Sequence, residues 1–460
     1  MASFLTVNPA TGAILRSYEH FDQNRIETVL TKAHEQYLNM KTKSIADRKS
    51  HLSALGAAFR ERRSDLAKIM TLEMGKPIKD SLAEVEKCAS AFDYFAASLE
   101  TLLAPEEVKT GYARSRIVKD SIGPILAVMP WNFPLWQITR FAAPAVGIGN
   151  PILLKHADLV AGTAELIGEI FDSVAKGLLY NLPIDHDQAA VVIADRRCAA
   201  VTLTGSARAG KEIAQTAGKF LKKTVLELGG SDAYVVFADS DVDKAAKICA
   251  DGRMVNNGQS CVAAKRFVVH HSILSRFIEM FEKRVRELAY GDPLREATAT
   301  GSLAAKKFQD QLLEQCSEIE KAGAKKIFDL ADGQKFDWSS PSAFFPARAY
   351  LVDEKIEMAF TDEFFGPVAL VFSFKSDEQA LAIANRSIYG LGGAVFSKDI
   401  AKAESFARLM EAGFIAINDQ VKSDARLPFG GVKDSGYGRE LSHFGFTEFC
   451  NIKTLGFGDS

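Results

Sequence analysis

The chain has 460 residues, 47% of them hydrophobic and 25% charged, and a formal net charge of −2. These are the values of a globular protein long enough for two or three domains around large buried cores. Charges of both signs are interspersed, which excludes the basic stripe of a nucleic-acid binder and the polybasic block of a membrane-surface protein.

The opening MASFLTVNPATG lacks the charged and apolar regions of a secretory signal. The richest apolar stretch, 141–154, is too short to span a membrane and is broken by Pro144, Gly147, Gly149 and Pro151. The six cysteines (88, 198, 249, 261, 316, 450) include no CxxC pair. A cytoplasmic protein with reduced thiols is therefore expected. None of the eight histidines falls in a zinc-binding spacing, so no metal is expected.

In chain order, the first hundred residues read as helices. Ile26, Val29, Leu30, Ala33 and Tyr37 form one apolar face, Leu52, Leu55, Ala58 and Phe59 a second, and Leu66, Ile69 and Met70 a third. Pro77 and Pro105 punctuate this layer. From about Ile122 the pattern changes to short apolar runs, 125–129, 151–154, 190–193 and 201–203, alternating with helical stretches. A second series follows Gly230, with runs at 234–237, 267–269, 368–372, 394–396 and 414–417. Both series carry the βαβ signature of a parallel sheet buried on two faces, so two α/β domains are predicted. Segments 109–120 (KTGYARSRIVKD) and 446–457 fit neither domain. As isolated hairpins they would be marginal in water, so each should pair with something, another subunit included, unless it is a solvated surface hairpin.

Four segments carry candidate chemistry. NNGQSCVAAKR (256–266) sets Cys261 in a small polar turn before an apolar run. A lone cysteine is more often an inert core residue, and to attack a carbonyl it must be a thiolate near positive potential or backbone donors. PWNFP (130–134) fixes Asn132 between two prolines, where its amide is either an oxyanion donor or an Asx-turn residue. ELGG (227–230) ends an apolar run on Glu227, either a general base with a raised pKa or a salt-bridged strand end. GSARAG (205–210) follows a strand-like run and opens a helix, an arrangement that offers backbone N–H groups to a phosphate. With Lys211 it also satisfies GxxxxGK, but Glu212 stands where a nucleotide triphosphatase needs Ser or Thr, so that reading is weak.

PWNFP, LTGS (203–206), ELGG, NNGQSC, EFFGP (363–367) and PFGGVKDSGYGRE (428–440) occur in the order and spacing of the aldehyde dehydrogenase superfamily, which the chain resembles from NPATG (8–12) to its carboxyl end. Segments 131–145 and 422–454 look most like the short bacterial succinate-semialdehyde dehydrogenases. The resemblance implies two Rossmann-like α/β domains and a small β oligomerisation flap. It places the cofactor-binding domain at 1–107 and 124–229, the catalytic domain at 230–425 and the flap at 108–123 and 440–460. It further implies a homo-oligomer, a dimer or dimer of dimers, with no nucleic-acid or membrane partner.

By the same resemblance, Cys261 is the nucleophile, Asn132 and the Cys261 N–H stabilise the oxyanion, and Glu227 activates the water that hydrolyses the thioester to a free acid. Trp131, Lys155, Asp158, Gly205, Ser206, Glu363 and Phe365 are the implied NAD(P) contacts. Arg140, Trp136 and Ser423 are the implied contacts for an aldehyde with a distal carboxylate, succinic semialdehyde first, with glutaric semialdehyde or a broad range of aldehydes as the alternative. Longer relatives have a second arginine where this chain has Val255, and Arg426 is a weak candidate to replace it. Asp158 three residues beyond Lys155 suggests NAD rather than NADP, unless it merely caps the following helix. A non-catalytic descendant of the fold is the remaining alternative, opposed by the joint presence of Cys261, Asn132 and Glu227.

Overall fold

The computed structural model describes residues 3–332 and 340–459. An antiparallel hairpin, Ser3–Val7 with Ile14–Glu19, precedes the helical layer Gln23–Met40, Ile45–Glu61, Arg63–Met74 and Ile78–Leu103. The predicted apolar faces lie inward, with Ile26, Leu52, Leu55, Phe59, Leu66 and Met70 fully or almost fully buried. The hairpin was not legible in the opening segment, because only one of its first five residues is buried.

Two sheets form the body. The first orders its strands Gly436–Tyr437, Lys223–Glu227, Ala200–Thr204, Ile125–Met129, Ile152–His156 and Leu179–Asn181. All are parallel except Gly436–Tyr437, which returns late in the sequence to pair antiparallel beside Glu227. The second orders Lys325–Asp329, Arg348–Leu351, Val368–Phe374, Arg266–His270, Ala233–Val236, Gly392–Phe396 and Phe414–Ile417, parallel throughout except for Lys325–Asp329 at its edge. Their strands are mostly buried from end to end, as the continuous apolar runs require.

One predicted strand is wrong. Residues 190–193 lie in the helix His186–Ala194. Asp185 and Gln188 form a capping box there, each side chain accepting from the other's backbone N–H at 2.8 and 3.0 Å. A four-residue apolar run has no period of its own, and the cap decides its conformation. The neighbouring strand is instead the three-residue Leu179–Asn181.

The two segments left over in the sequence pair with each other. Arg114–Ser121 and Cys450–Phe457 run antiparallel from Cys450 opposite Ser121 to Phe457 opposite Arg114, with Glu106–Glu107 as third strand. Residues 446–448 belong to the preceding helix, Ser442–Glu448. Tyr112, Ile452, Leu455 and Phe457 stand exposed on or beside this small sheet. Among the described residues no helix is long and apolar enough to cross a membrane.

Candidate active site

The loop that carries Cys261 begins with an unusual backbone. Asn256, Asn257 and Gly258 follow one another at φ 52°, 57° and 77°. The left-handed region costs a residue with a Cβ about 1–2 kcal/mol, and asparagine tolerates it best among the non-glycines. Position 258 also needs glycine for space, since a Cβ there would lie 2.4 Å from the Gly366 carbonyl carbon. Side-chain amides hold the run in place. Asn256 Nδ2 donates to Asn132 O at 2.7 Å and Gln259 O at 3.1 Å. Asn257 Nδ2 donates to Ser302 O, and its Oδ1 accepts from Gly301 N, both at 2.8 Å. Arg253, buried, donates to Gly258 O at 2.6 Å.

The same hydrogen bonds join this loop to the PWNFP turn. Asn132 Nδ2 donates to Gln259 O at 3.1 Å and its Oδ1 accepts from Gln137 Nε2 at 3.5 Å. A primary amide has two N–H bonds, so one remains for an oxygen in the cleft that Asn132 and Cys261 both line. The turn is anchored from behind by Glu84, whose Oε1 accepts from Leu135 N and Trp136 N at 2.9 Å each, at the start of the helix Trp136–Ile148. Lys76 pairs with Glu84 and lies 4.0 Å from the Phe133 ring centre. Both members of the pair are buried.

The cleft encloses about 710 Å³. Trp131, Asn132, Gly205, Ser206, Cys261, Glu363 and Phe365 line it, seven of the residues singled out in the sequence. Ser206 caps the helix Ala207–Lys219, so that helix presents its N–H end to the cleft. A Cβ at Gly205 would meet only one heavy atom, Leu203 Cδ2 at 3.6 Å, and would otherwise occupy cleft space. Trp131 stacks on Phe308 at 4.7 Å and meets Phe365 edge-on at 5.7 Å. An anion-accepting helix end, an aromatic wall and a carboxylate at Glu363 are donors and surfaces that fit a dinucleotide.

Lys155 and Asp158 are not on the cleft wall. Lys155 is buried, which pushes its ammonium below the usual lysine range, and its Nζ lies 3.9 Å from Asp158 Oδ1. Asp158 Oδ2 lies 3.3 Å from His20 Nε2. Asp158 does not cap the next helix, Ala161–Val174. Its first amides are met by buried Glu73, which accepts from Gly162 N and Thr163 N at 2.8 and 2.9 Å.

Behind the thiol stand charges. Both carboxylate oxygens of Glu227 are buried and, among the described residues, have no hydrogen-bond partner. Burial first, and then facing Glu440, lifts Glu227 well above the usual carboxylate range, against the opposing charges of Arg140 and Arg439. Arg140, also buried, sets Nε 2.7 Å from Glu440 Oε2, hydrogen-bonds through Nη2 to Gln137 and Thr204, and lies 4.6 Å from the Phe429 ring centre. Among the described residues Nη1 has no hydrogen-bond partner. Trp136 and Ser423 are joined elsewhere, Trp136 Nε1 donating to Ser423 Oγ at 2.9 Å. Arg426 is exposed and held by Asp424 through two bonds of 2.8 and 2.7 Å.

Sequence reasoning assigned no role to Lys265 or Glu440. Lys265 is fully buried, donates to Ser260 O at 2.6 Å and Cys261 O at 2.8 Å, and lies 3.2 Å from Glu363 Oε1. One cation thus holds both the Cys261 backbone and the Glu363 carboxylate at the cleft. Both residues sit inside the quoted motifs, and a buried charge in an apolar run was the available signal. Among the described residues no three His, Cys, Asp or Glu side chains converge as metal ligands.

Residues 2–455 match the model of the aldehyde dehydrogenase family. The chain is 41% identical over 454 residues to the succinate semialdehyde dehydrogenase [NAD(P)+] of Escherichia coli (strain K12), covering 98% of this chain and 97% of that one. It is 39% identical over 461 residues to the succinate-semialdehyde dehydrogenase [NADP(+)] of Mycobacterium avium (strain 104), covering 99% and 97%. Among solved structures, succinic semialdehyde dehydrogenase from Streptococcus pyogenes in complex with NADP+ superposes with a TM-score of 0.95 at 36% identity, covering 99% of this chain and all of that one.

Cys261 is partly accessible, but the atoms around it push its thiol up to about 12, with Arg140 and then Lys265 opposing the shift. In the ligand-free protein its alkylation by iodoacetamide should therefore rise about tenfold per pH unit from neutrality upward, without a plateau near the ordinary thiol pKa. Arg140→Met removes a charge that favours the thiolate, so modification should be slower at every pH. Peptide-resolved mass spectrometry over time measures both, and a plateau near pH 8 would contradict the burial argument.

Proposed function

The chain belongs to the aldehyde dehydrogenase family, and from that premise we propose that it oxidises succinic semialdehyde to succinate through a thioester on Cys261, with NAD(P) as the hydride acceptor. The observation that carries the chemistry is the meeting, on one cleft wall, of Cys261, the free amide N–H of Asn132 and the carboxylate of Glu363. The substrate is inferred from the named activity of the relatives, supported by an arginine whose charge reaches both the thiol and Glu227.

Cys261 attacks the aldehyde carbon as thiolate. Asn132 Nδ2 and the Cys261 N–H donate to the oxyanion as charge develops on it. Glu363 and Phe365 would hold the ribose and ring of the nicotinamide, and Ser206, with Gly205 beside it, would receive the pyrophosphate. Trp131 lines the same cleft, and Lys155 and Asp158, beyond its wall, would meet the adenine ribose of a cofactor that extends past it. A bound nicotinamide supplies the hydride acceptor that this chain's own side chains lack. Glu227 then takes a proton from the water that opens the thioester, so the product is a free acid. Arg140 Nη1, Ser423 and Trp136 receive the far end of the substrate. We assign 1–107 and 124–229 to cofactor binding and 230–425 to catalysis. Segments 108–123 and 440–460 form the flap through which a homo-oligomer assembles, on the exposed apolar residues of the small sheet.

The substrate reading is tested by comparing succinic semialdehyde, glutaric semialdehyde and butanal in wild type and Arg140→Ala. The wild type should prefer the succinic compound. The variant should lose at least tenfold in kcat/KM on it through KM, and much less on butanal, because a charge-assisted contact is lost only with the carboxylate. Equal losses on all three would confine Arg140 to the fold and to its charge on Cys261 and Glu227, with no contact to the substrate carboxylate.

Glu227 serves as base only when ionised. Because its pKa is raised, the ionised fraction grows as pH rises through a value well above the carboxylate range. Deacylation should accelerate with pH over that interval. Glu227→Gln should remove this limb and leave a burst of reduced cofactor followed by slow turnover, measured by stopped-flow. Unchanged steady-state turnover would take Glu227 out of the mechanism.

The relatives' names carry NADP+ or NAD(P)+. In this chain the carboxylate of Asp158 beside Lys155 would accept from a ribose 2′-hydroxyl and repel a 2′-phosphate, which favours NAD. Asp158→Ser should move the ratio of kcat/KM for NAD over NADP toward NADP by tenfold or more. A wild type that already prefers NADP would overturn this preference.

A further inference from the structure

Lys87 lies on the helix Ile78–Leu103, outside every motif quoted above. Its Nζ donates to Ser423 Oγ at 2.9 Å and stands 4.1 Å from the centre of the Trp136 ring. Trp136 Nε1 donates to the same Oγ, also at 2.9 Å. A hydroxyl offers two acceptor sites and one O–H. With Lys87 and Trp136 filling both acceptor sites, the Ser423 O–H is left to donate outward, and only an acceptor can complete it.

The charge of Lys87 is also unanswered. Among the described residues no carboxylate lies within ion-pair distance of its Nζ. Asp424, next to Ser423, is engaged by both arms of Arg426. Lys87 is reachable by solvent, yet the protein around it crowds the ammonium and brings its pKa down to about 8. Burial is the main cause and Arg140 adds to it, while Cys88, Glu84 and Asp424 oppose it. A crowded cation open on one side gains more from an incoming anion than a fully hydrated one. The cluster is linked to the Cys261 thiol through Arg140, which exerts its charge on both Lys87 and that thiol.

We propose that Lys87 is a specificity-determining residue: with the Ser423 O–H that it orients, it receives the distal carboxylate of the aldehyde and supplies the second positive charge that Val255 cannot. This rests on the semialdehyde reading above. Arg140 is committed on one side to Glu440 and keeps only Nη1 free, and Arg426 is committed to Asp424, so Lys87 is the cation of this cluster that can join Arg140 Nη1 on a ligand.

The test is the ratio of kcat/KM for succinic semialdehyde to that for butanal, in which thiol and Glu227 titrations common to both aldehydes cancel. Lys87→Met should lower this ratio at least tenfold, with the loss in KM for the semialdehyde rather than in kcat, and Lys87→Arg should restore most of it. In the wild type, which needs no substitution, the ratio should fall as pH rises from about 7 to about 9, because Lys87 loses its charge there. A ratio that is flat with pH, or unchanged in Lys87→Met, overturns the assignment of Lys87 alone. Equal losses on both aldehydes reduce Lys87 to a structural role and overturn it likewise. A wild type with no preference for the semialdehyde overturns the substrate reading and this proposal together.

Discussion

Three successive left-handed residues, Asn256, Asn257 and Gly258, are the constraint on which the site depends. A backbone in that region is unfavourable for any residue with a Cβ, and two asparagines in succession persist there only because their amides have somewhere to go. Asn256 reaches the PWNFP turn and Asn257 reaches the segment 301–302. Gln259 then accepts from Ala304 N at 2.8 Å. The loop is thus tied to the first sheet's strand end on one side and to a segment of the second half of the chain on the other. Cys261, two residues further on, takes its place from both, so Cys261 and the Asn132 amide share a single hydrogen-bonded unit.

Buried charge does a related job. Lys76 with Glu84, Arg140 with Glu440 and Lys265 with Glu363 all lie largely out of water. A buried pair is weak evidence for stability, since apolar residues of similar volume often do as well, whereas removing one partner typically costs about 3–5 kcal/mol. What these pairs provide is position. The first holds the start of the helix after Asn132, the second sits beside Glu227, and the third spans from the Cys261 carbonyl to a carboxylate on the cleft wall. In an apolar interior a misplaced charge is expensive, so each pair resists the small displacements that would blur the geometry.

Much of this was legible in the sequence, for identifiable reasons. Continuous apolar runs gave the parallel strands because a strand buried on both faces has no polar side to alternate. The run 190–193 misled because four residues cannot distinguish period 2 from period 3.6, and the deciding signal was the Asp185–Gln188 box upstream. The small sheet could be suspected from its two unmatched segments, but their mutual pairing, over 300 residues apart, leaves no local trace. In the site, residue type left alternatives open for Cys261 and Asn132, and the family resemblance assigned roles to them and to Glu363. They could not show that Lys265 links two of them, that Arg140 meets Glu440, or that Lys87 meets Ser423, because each contact joins distant or unremarkable positions through side-chain direction alone.

Burial acts on the thiol and on its neighbouring carboxylate in one sense, and this makes the two compatible. Burial pushes the Cys261 thiol up to about 12, so in the ligand-free protein it is protonated at neutral pH. A carboxylate at its ordinary value would be a poor acceptor for a proton held so tightly, each unit of mismatch costing about 1.4 kcal/mol. The same dry surroundings raise Glu227, and Glu440 raises it further, so whatever passes a proton to it, thiol or water, does so across a smaller gap. Arg140 limits the effect by lowering both groups together. Removing water therefore does not simply penalise the thiolate. It shifts thiol and carboxylate in the same direction and leaves the fixed charges of Arg140 and Lys265 to act on the thiolate with little screening once it forms.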